Sequence, residues 1–106
     1  NLAGRLPKLA KGIRNLLTAL KRTLASLLAR LKAAGQVVSD TQALGQLVEQ
    51  ITMTLLFSLD YQRILDREGE IRVVVYQIMM LVAPHLLLPT RLTTERLALR
   101  YLDEPV

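Results

Sequence analysis

The sequence predicts an all-α fold, a four-helix domain whose neighbouring helices run antiparallel. In residues 6–64 apolar residues recur at steps of three or four, which is the period of an amphipathic helix. The stretch from Glu70 to Leu88 is apolar nearly all round, and glycine, proline or charged residues separate the segments. We expect helices over residues 6–34, 40–67, 70–87 and 90–102, forming one domain across residues 1–106.

The first helix has the clearest amphipathic pattern. Its apolar residues share an arc of about 80° at 100° per residue, which Leu17 and Leu28 widen to about 120°. Pro7 suits the first turn of a helix, and Gly35 suits the position just after its end. The apolar stripe comprises Leu6, Leu9, Ile13, Leu16, Leu20, Leu24, Leu27 and Leu31.

The same helix carries a strongly basic face. Residues 1–39 contain eight lysines and arginines and no acidic residue, within a chain of formal net charge +5. An ordinary solvated face is the interpretation we favour. A helix lying on a membrane surface, a cationic or transit peptide, and contact with DNA would also show such a charge pattern. A membrane-surface-associated helical protein is therefore the alternative function.

The second helix has two apolar stripes, and Ser39 followed by Gln42 is typical of a capping box at its start. Both stripes could simply pack against neighbouring helices. The alternative is that part of the second stripe lines a small-molecule pocket, since such pockets combine apolar walls with a few polar groups. The first stripe comprises Leu44, Leu47, Val48, Ile51, Leu55 and Leu59. The second comprises Met53, Phe57, Tyr61 and Ile64, and continues toward the N-terminus as Gln46 and Gln50.

From this second stripe we predict that Gln46, Gln50 and Met53 line a cavity between the first and second helices and contact a small apolar effector. Amide groups beside apolar walls are the basis of this prediction.

The third helix is expected to be central, because only Arg72 and Gln77 are polar between Ile71 and Ala83. The charged turn over residues 66–70 is short, so the second and third helices should be antiparallel. Pro84 ends the third helix, and Pro89 opens a fourth whose apolar face comprises Leu97, Ala98, Tyr101 and Leu102.

A homodimer is expected, because one chain has too few helices to cover two apolar stripes and an apolar third helix. The second and third helices would pair with their symmetry mates as an intermolecular four-helix bundle. Such an apolar interface is obligate in character and typically buries more than about 2,000 Å². The residues predicted at this interface are Phe57, Tyr61, Ile64, Tyr76, Met79 and Met80.

The side chains that catalysis and metal binding require are scarce. The chain has one histidine, no cysteine and five glycines that are isolated from one another, so it lacks multi-histidine or thiolate metal sites and a glycine-rich phosphate loop. We expect neither an enzyme nor a cofactor. His85 lies beside Pro84, where a loop or capping role is the favoured interpretation. The absence of cysteine fits a reducing compartment, and no stretch reaches the roughly 20 apolar residues of a membrane-spanning helix.

Two segments resemble the C-terminal regulatory domain of TetR-like transcription factors. One is the run from Val75 to Leu86, VYQIMMLVAPHL, followed by a short helix that ends at Arg100-Tyr101-Leu102. The other is LLARLKAAGQVV, a long helix closing at Ala-Ala-Gly. Where that family often has tyrosine after Ala-Pro, this chain has His85.

The resemblance implies a cytoplasmic repressor's effector-sensing and dimerisation domain, with homodimers formed through the late helices. It also implies that DNA is bound by a helix-turn-helix domain expected before Asn1 and absent from these residues, and that the chain has no membrane partner.

Overall fold

The computed structural model describes residues 2–64 and 71–103, with side chains described for 5–58, 60 and 71–103. The predicted all-α four-helix class is confirmed, and no strand occurs within these ranges. The elements are α1 (Leu2–Ala33), α2 (Thr41–Ile64), α3 (Ile71–Val82), a single 3-10 turn (Ala83–His85) and α4 (Leu88–Asp103).

The first two helices form an antiparallel pair. Lys21 near the middle of α1 makes a 2.9 Å ion pair with Glu49, while Lys32 at its end reaches the hydroxyl of Thr41 at the start of α2. The core forms where an apolar face of α1 and an apolar face of α2 meet α3. It consists of Leu28, Leu44, Leu47, Val48 and Ile51, against which Leu24, Val37, Leu55, Ile78, Leu81 and Val82 pack.

The end of α1 follows the prediction from Ala-Ala-Gly. Gly35 has φ +76°, a left-handed conformation that a residue with a Cβ adopts at a cost. The amide of Gly35 donates to the carbonyl of Lys32, and the amide of Gln36 donates to that of Leu31. These two bonds form a Schellman motif, which gives carbonyls in the last turn of α1 hydrogen-bond partners. The helix ends here because Gly35 readily adopts the left-handed conformation that the motif requires.

The start of α2 differs from the predicted capping box. Asp40 is the capping residue, since its Oδ1 accepts a 2.8 Å hydrogen bond from the amide of Ala43. The hydroxyl of Ser39 instead shares a 2.7 Å hydrogen bond with Nδ1 of His85. The predicted capping box is wrong because the Ser39 hydroxyl is hydrogen-bonded to the imidazole of His85, which is 46 residues away in sequence.

The region expected as one helix over residues 70–87 ends earlier. α3 stops at Val82, and Pro84 lies in the 3-10 turn, because proline cannot donate the hydrogen bond that would continue an α-helix. α4 then begins at Leu88 and packs against α3. Its Ala98 is fully buried, whereas Leu97, Tyr101 and Leu102 remain more than a third exposed.

Two loops distant in sequence are joined by an interloop bridge, which we define as the hydrogen bonds between residues 36–39 and 85–90. The amide of Val38 donates to the carbonyl of His85, and the amide of Leu87 donates to that of Gln36, both at 2.9 Å. The hydroxyl of Thr90 donates to the side-chain carbonyl of Gln36. Together with the Ser39–His85 bond, these contacts fix the α1–α2 turn against the start of α4.

We expect Ser39→Ala to lower the free energy of unfolding by about 1 kcal/mol, because it removes one hydrogen bond and leaves a half-buried imidazole nitrogen without its partner. Urea denaturation measures this change. Thr23→Ala is the matched control, since that exposed hydroxyl bonds only to its own helix at Ala19. Equal stabilities of the two variants would contradict a stabilising role for the interloop bridge.

Candidate functional site

A groove of about 680 Å³ lies between α2 and α3. Its walls are mostly apolar. Side chains from the middle of α2, residues 50–58, and from residues 76–81 of α3 form it. The lining residues are Gln50, Met53, Thr54, Phe57, Ser58, Tyr76, Gln77, Met80 and Leu81.

Several polar groups are placed along the apolar walls of this groove. The hydroxyl of Ser58 donates a 3.3 Å hydrogen bond to the side-chain carbonyl of Gln77, which ties α2 to α3 across the groove. Thr54 and Gln50 lie one and two turns before Ser58 on α2. A molecule in the groove could therefore bury an apolar body and still form a hydrogen bond at the side.

Two of the three residues predicted to contact an effector, Gln50 and Met53, line this groove, whereas Gln46 is exposed and does not. Their location differs from the expected one. The cavity between α1 and α2 is smaller, about 230 Å³, and none of the three lines it. They face away from α1 because they lie on the side of α2 opposite its core stripe.

Three of the residues predicted at a dimer interface, Phe57, Tyr76 and Met80, line the same groove. Phe57 is 70% exposed, while Tyr76, Met79 and Met80 are half-buried. The predicted Tyr61 and Ile64 lie outside the residues whose side chains are described. The sequence assigned effector and dimer contacts to different places, and the structure brings members of both sets to one surface.

Sequence reasoning missed Thr54, Ser58, Gln77 and Leu81 as groove residues. In the sequence, Leu81 is one of many apolar residues of the third helix, and Gln77 is a polar residue that interrupts the apolar run. The signal that could have found the polar members is their spacing, since Gln50, Thr54 and Ser58 recur every four residues along one edge of α2.

Ser39 and His85 form a pair of the kind that nucleophilic catalysis uses, a hydroxyl hydrogen-bonded to an imidazole. Neither residue lines the α2–α3 groove or the α1–α2 cavity. The backbone of His85 also takes part in the interloop bridge. The geometry therefore supports a structural role for this pair, in line with the loop role expected for His85.

The basic face of α1 is exposed along its described length, except that Lys21 is half-buried and paired with Glu49. Within residues 5–58, 60 and 71–103, acidic and histidine side chains do not gather into a cluster that could hold a metal ion. The described helices also include none that is both long and apolar enough to cross a membrane.

A family model described as TetR, bacterial transcriptional repressor, matches residues 1–93. No curated protein and no solved structure shows a significant match to the chain. Because the family model covers most of the 106 residues, the chain belongs to the TetR family of bacterial transcriptional repressors.

Proposed function

We propose that this chain is the regulatory domain of a transcriptional repressor, which forms a homodimer through α2 and α3 and binds an effector at the same surface. In this proposal DNA is bound by a helix-turn-helix domain that is not within these 106 residues. The observation that carries the proposal is the exposed apolar surface around the α2–α3 groove, in a chain of a repressor family.

The physical argument for a dimer is the cost of leaving this surface in water. Phe57 and Met53 are 70% and 49% exposed, and each large apolar side chain gains about 1.5–3 kcal/mol when it is fully buried. A second copy related by a two-fold axis presents the same helices in return, and two pairs of helices close into a four-helix bundle. Met79 and Met80 can adapt to an irregular contact.

Sedimentation of the 106-residue chain tests the dimer directly. We expect a dimer at micromolar concentration, because an interface built from α2 and α3 is apolar enough to be obligate. A chain that sediments as a stable monomer under these conditions would overturn the proposed dimer. Tyr61 and Ile64 remain predicted interface residues.

For the effector, we propose a small, largely apolar molecule with one or two hydrogen-bonding groups. Met53, Met80 and Leu81 supply the apolar walls, while Gln50 and the Ser58–Gln77 pair supply polar contacts. Gln46 lies one turn from Gln50 on the same face, and its contact with an effector stays a prediction.

We expect the neutral apolar dye Nile red to bind the groove and to bind about fivefold more weakly to Met53→Ser, because the substitution removes apolar contact area. Fluorescence titration measures the affinity. Leu99→Ser is the matched control, since Leu99 on α4 is 51% exposed and Met53 is 49% exposed. If both substitutions weakened dye binding equally, the dye would be binding to exposed apolar surface in general. The groove would then lose its support as the binding site.

A further inference from the structure

The cavity of about 230 Å³ between α1 and α2 lies on the side of α2 opposite to the groove, and the two share none of their described lining residues. Leu28, Leu44 and Val48 line it, and each is only 5–6% exposed and belongs to the core cluster. An apolar cavity of roughly 150 Å³ is enough to hold benzene. This cavity therefore has room for one ring or a short chain, and it is too small for a partner helix, which is about 10 Å wide.

The cavity exists because small residues lie where the two helices face each other. Ala25 and Ala29 of α1 and Gly45 of α2 all line it. A Cβ added at Gly45 would meet nothing within 4 Å, so a side chain there would enter open space. Glycine is unfavourable inside a helix, and at this position it leaves space that a larger residue would fill.

Two polar side chains lie together at the exposed end of the cavity. Nζ of Lys32 donates a 3.4 Å hydrogen bond to the hydroxyl oxygen of Thr41, and both residues line the cavity. A hydroxyl that accepts one hydrogen bond still has its own hydrogen to donate. A carboxylate at this end would accept hydrogen bonds from the ammonium group and from the hydroxyl, and such charge-assisted bonds are stronger than neutral ones.

The acidic side chains of this region are engaged elsewhere. Asp40 and Glu49 are the first two acidic residues of the chain. Oδ1 of Asp40 accepts a hydrogen bond from the amide of Ala43, and Glu49 forms the 2.9 Å ion pair with Lys21. Lys32 therefore makes the end of the cavity positive, which favours an anion over a neutral or cationic molecule of the same shape.

We propose that the α1–α2 cavity binds a small monocarboxylate whose apolar body is about the size of one aromatic ring. The body lies against Leu28, Leu44 and Val48, and the carboxylate contacts Lys32 and Thr41. Apolar walls with a few polar groups that fix the orientation are typical of small-molecule sites. This site is separate from the α2–α3 groove, so it depends on neither the proposed dimer nor the proposed effector.

The test titrates the full 106-residue chain with 4-fluorobenzoate and follows the fluorine NMR signal of the probe. 4-Fluorobenzyl alcohol and 4-fluorobenzylamine are matched probes, since they carry the same ring with a neutral and a cationic group. We expect the acid to bind with a dissociation constant of about 1 mM or tighter, and the other two to bind about tenfold more weakly. Equal affinity of the acid and the alcohol, or no binding of the acid below about 10 mM, would overturn the proposal.

Substitutions at Gly45 test whether the acid occupies the cavity. Gly45→Leu should weaken 4-fluorobenzoate binding by about tenfold or more, because its side chain takes the space of the ring. Circular dichroism should show that helix content is kept, since leucine is the better helix former. Gly45→Ala fills less of the cavity and should weaken binding less. Unchanged binding in both variants would contradict the site, and loss of the chain's dimer in Gly45→Leu would assign the cavity to a side chain of a second copy.

Met53→Ser, in the α2–α3 groove, should bind 4-fluorobenzoate as the unchanged chain does. If this variant bound the acid more weakly and Gly45→Leu did not, the acid would be in the groove, and the proposed cavity site would be wrong.

Lys32→Met tests the carboxylate contact, because it keeps an unbranched side chain and removes the charge. It should weaken 4-fluorobenzoate about tenfold and leave the affinity for the alcohol unchanged. Lys11→Met is the matched control, since Lys11 is an exposed lysine on the same helix about six turns away and its loss changes the net charge equally. An equal loss of affinity in both variants would mean that the acid responds to the overall positive charge, which would overturn the assigned contact.

Discussion

Phe57→Glu is expected to convert the dimer into a monomer, with the dimer affinity reduced by about a hundredfold or more. Phe57 is 70% exposed in the single chain, so glutamate there costs the folded protomer little. In the proposed dimer the same position is buried twice, once in each copy, and a buried unpaired charge is strongly unfavourable. Sedimentation velocity should show loss of the dimer, and circular dichroism should show partial unfolding with it, because the protomer of an obligate dimer is unstable alone.

Leu16→Glu is the control for this experiment, because Leu16 is also 70% exposed but lies on α1. We expect this variant to remain a dimer. The pair of variants distinguishes the two exposed apolar surfaces from each other. If Phe57→Glu kept the dimer while Leu16→Glu lost it, the interface would lie on α1, and the proposed pairing through α2 and α3 would be wrong.

Leu47→Ala is expected to lower the free energy of unfolding by about 2–5 kcal/mol, since it removes three carbon atoms from a packed core and leaves a cavity. Leu47 of α2 is completely buried, at 0% exposure, and belongs to the core cluster to which α1 and α3 also contribute. For a domain of this size, such a loss is a large part of the usual total stability. Urea denaturation at one fixed protein concentration measures it, because dimer formation makes stability depend on concentration.

Leu99→Ala serves as the reference for a leucine on the surface, and we expect it to change stability by less than about 1 kcal/mol. A Leu47→Ala variant as stable as Leu99→Ala would mean that the core around α2 is not where the structure places it.

The sequence was sufficient to predict the four helices and their antiparallel order. This is because the signals involved are local. The 3.6-residue period of α1 and α2, the left-handed position at Gly35 and the missing donor of Pro84 each act within a few residues of the chain. The core stripe of α2 was also predictable, since Leu44, Leu47, Val48 and Ile51 recur at helical spacing and all are buried.

Only the tertiary structure decided which apolar stripes are covered and which side chains meet. Ser39 lost its predicted capping role to His85, and Gln50 and Met53 lie beside α3 rather than α1. Both outcomes depend on contacts between residues far apart in sequence, for which periodicity carries no signal. The exposure of Leu9 and Leu16 likewise depends on how far α2 accompanies α1, because a regular stripe of leucines has the same pattern whether or not another helix packs on it.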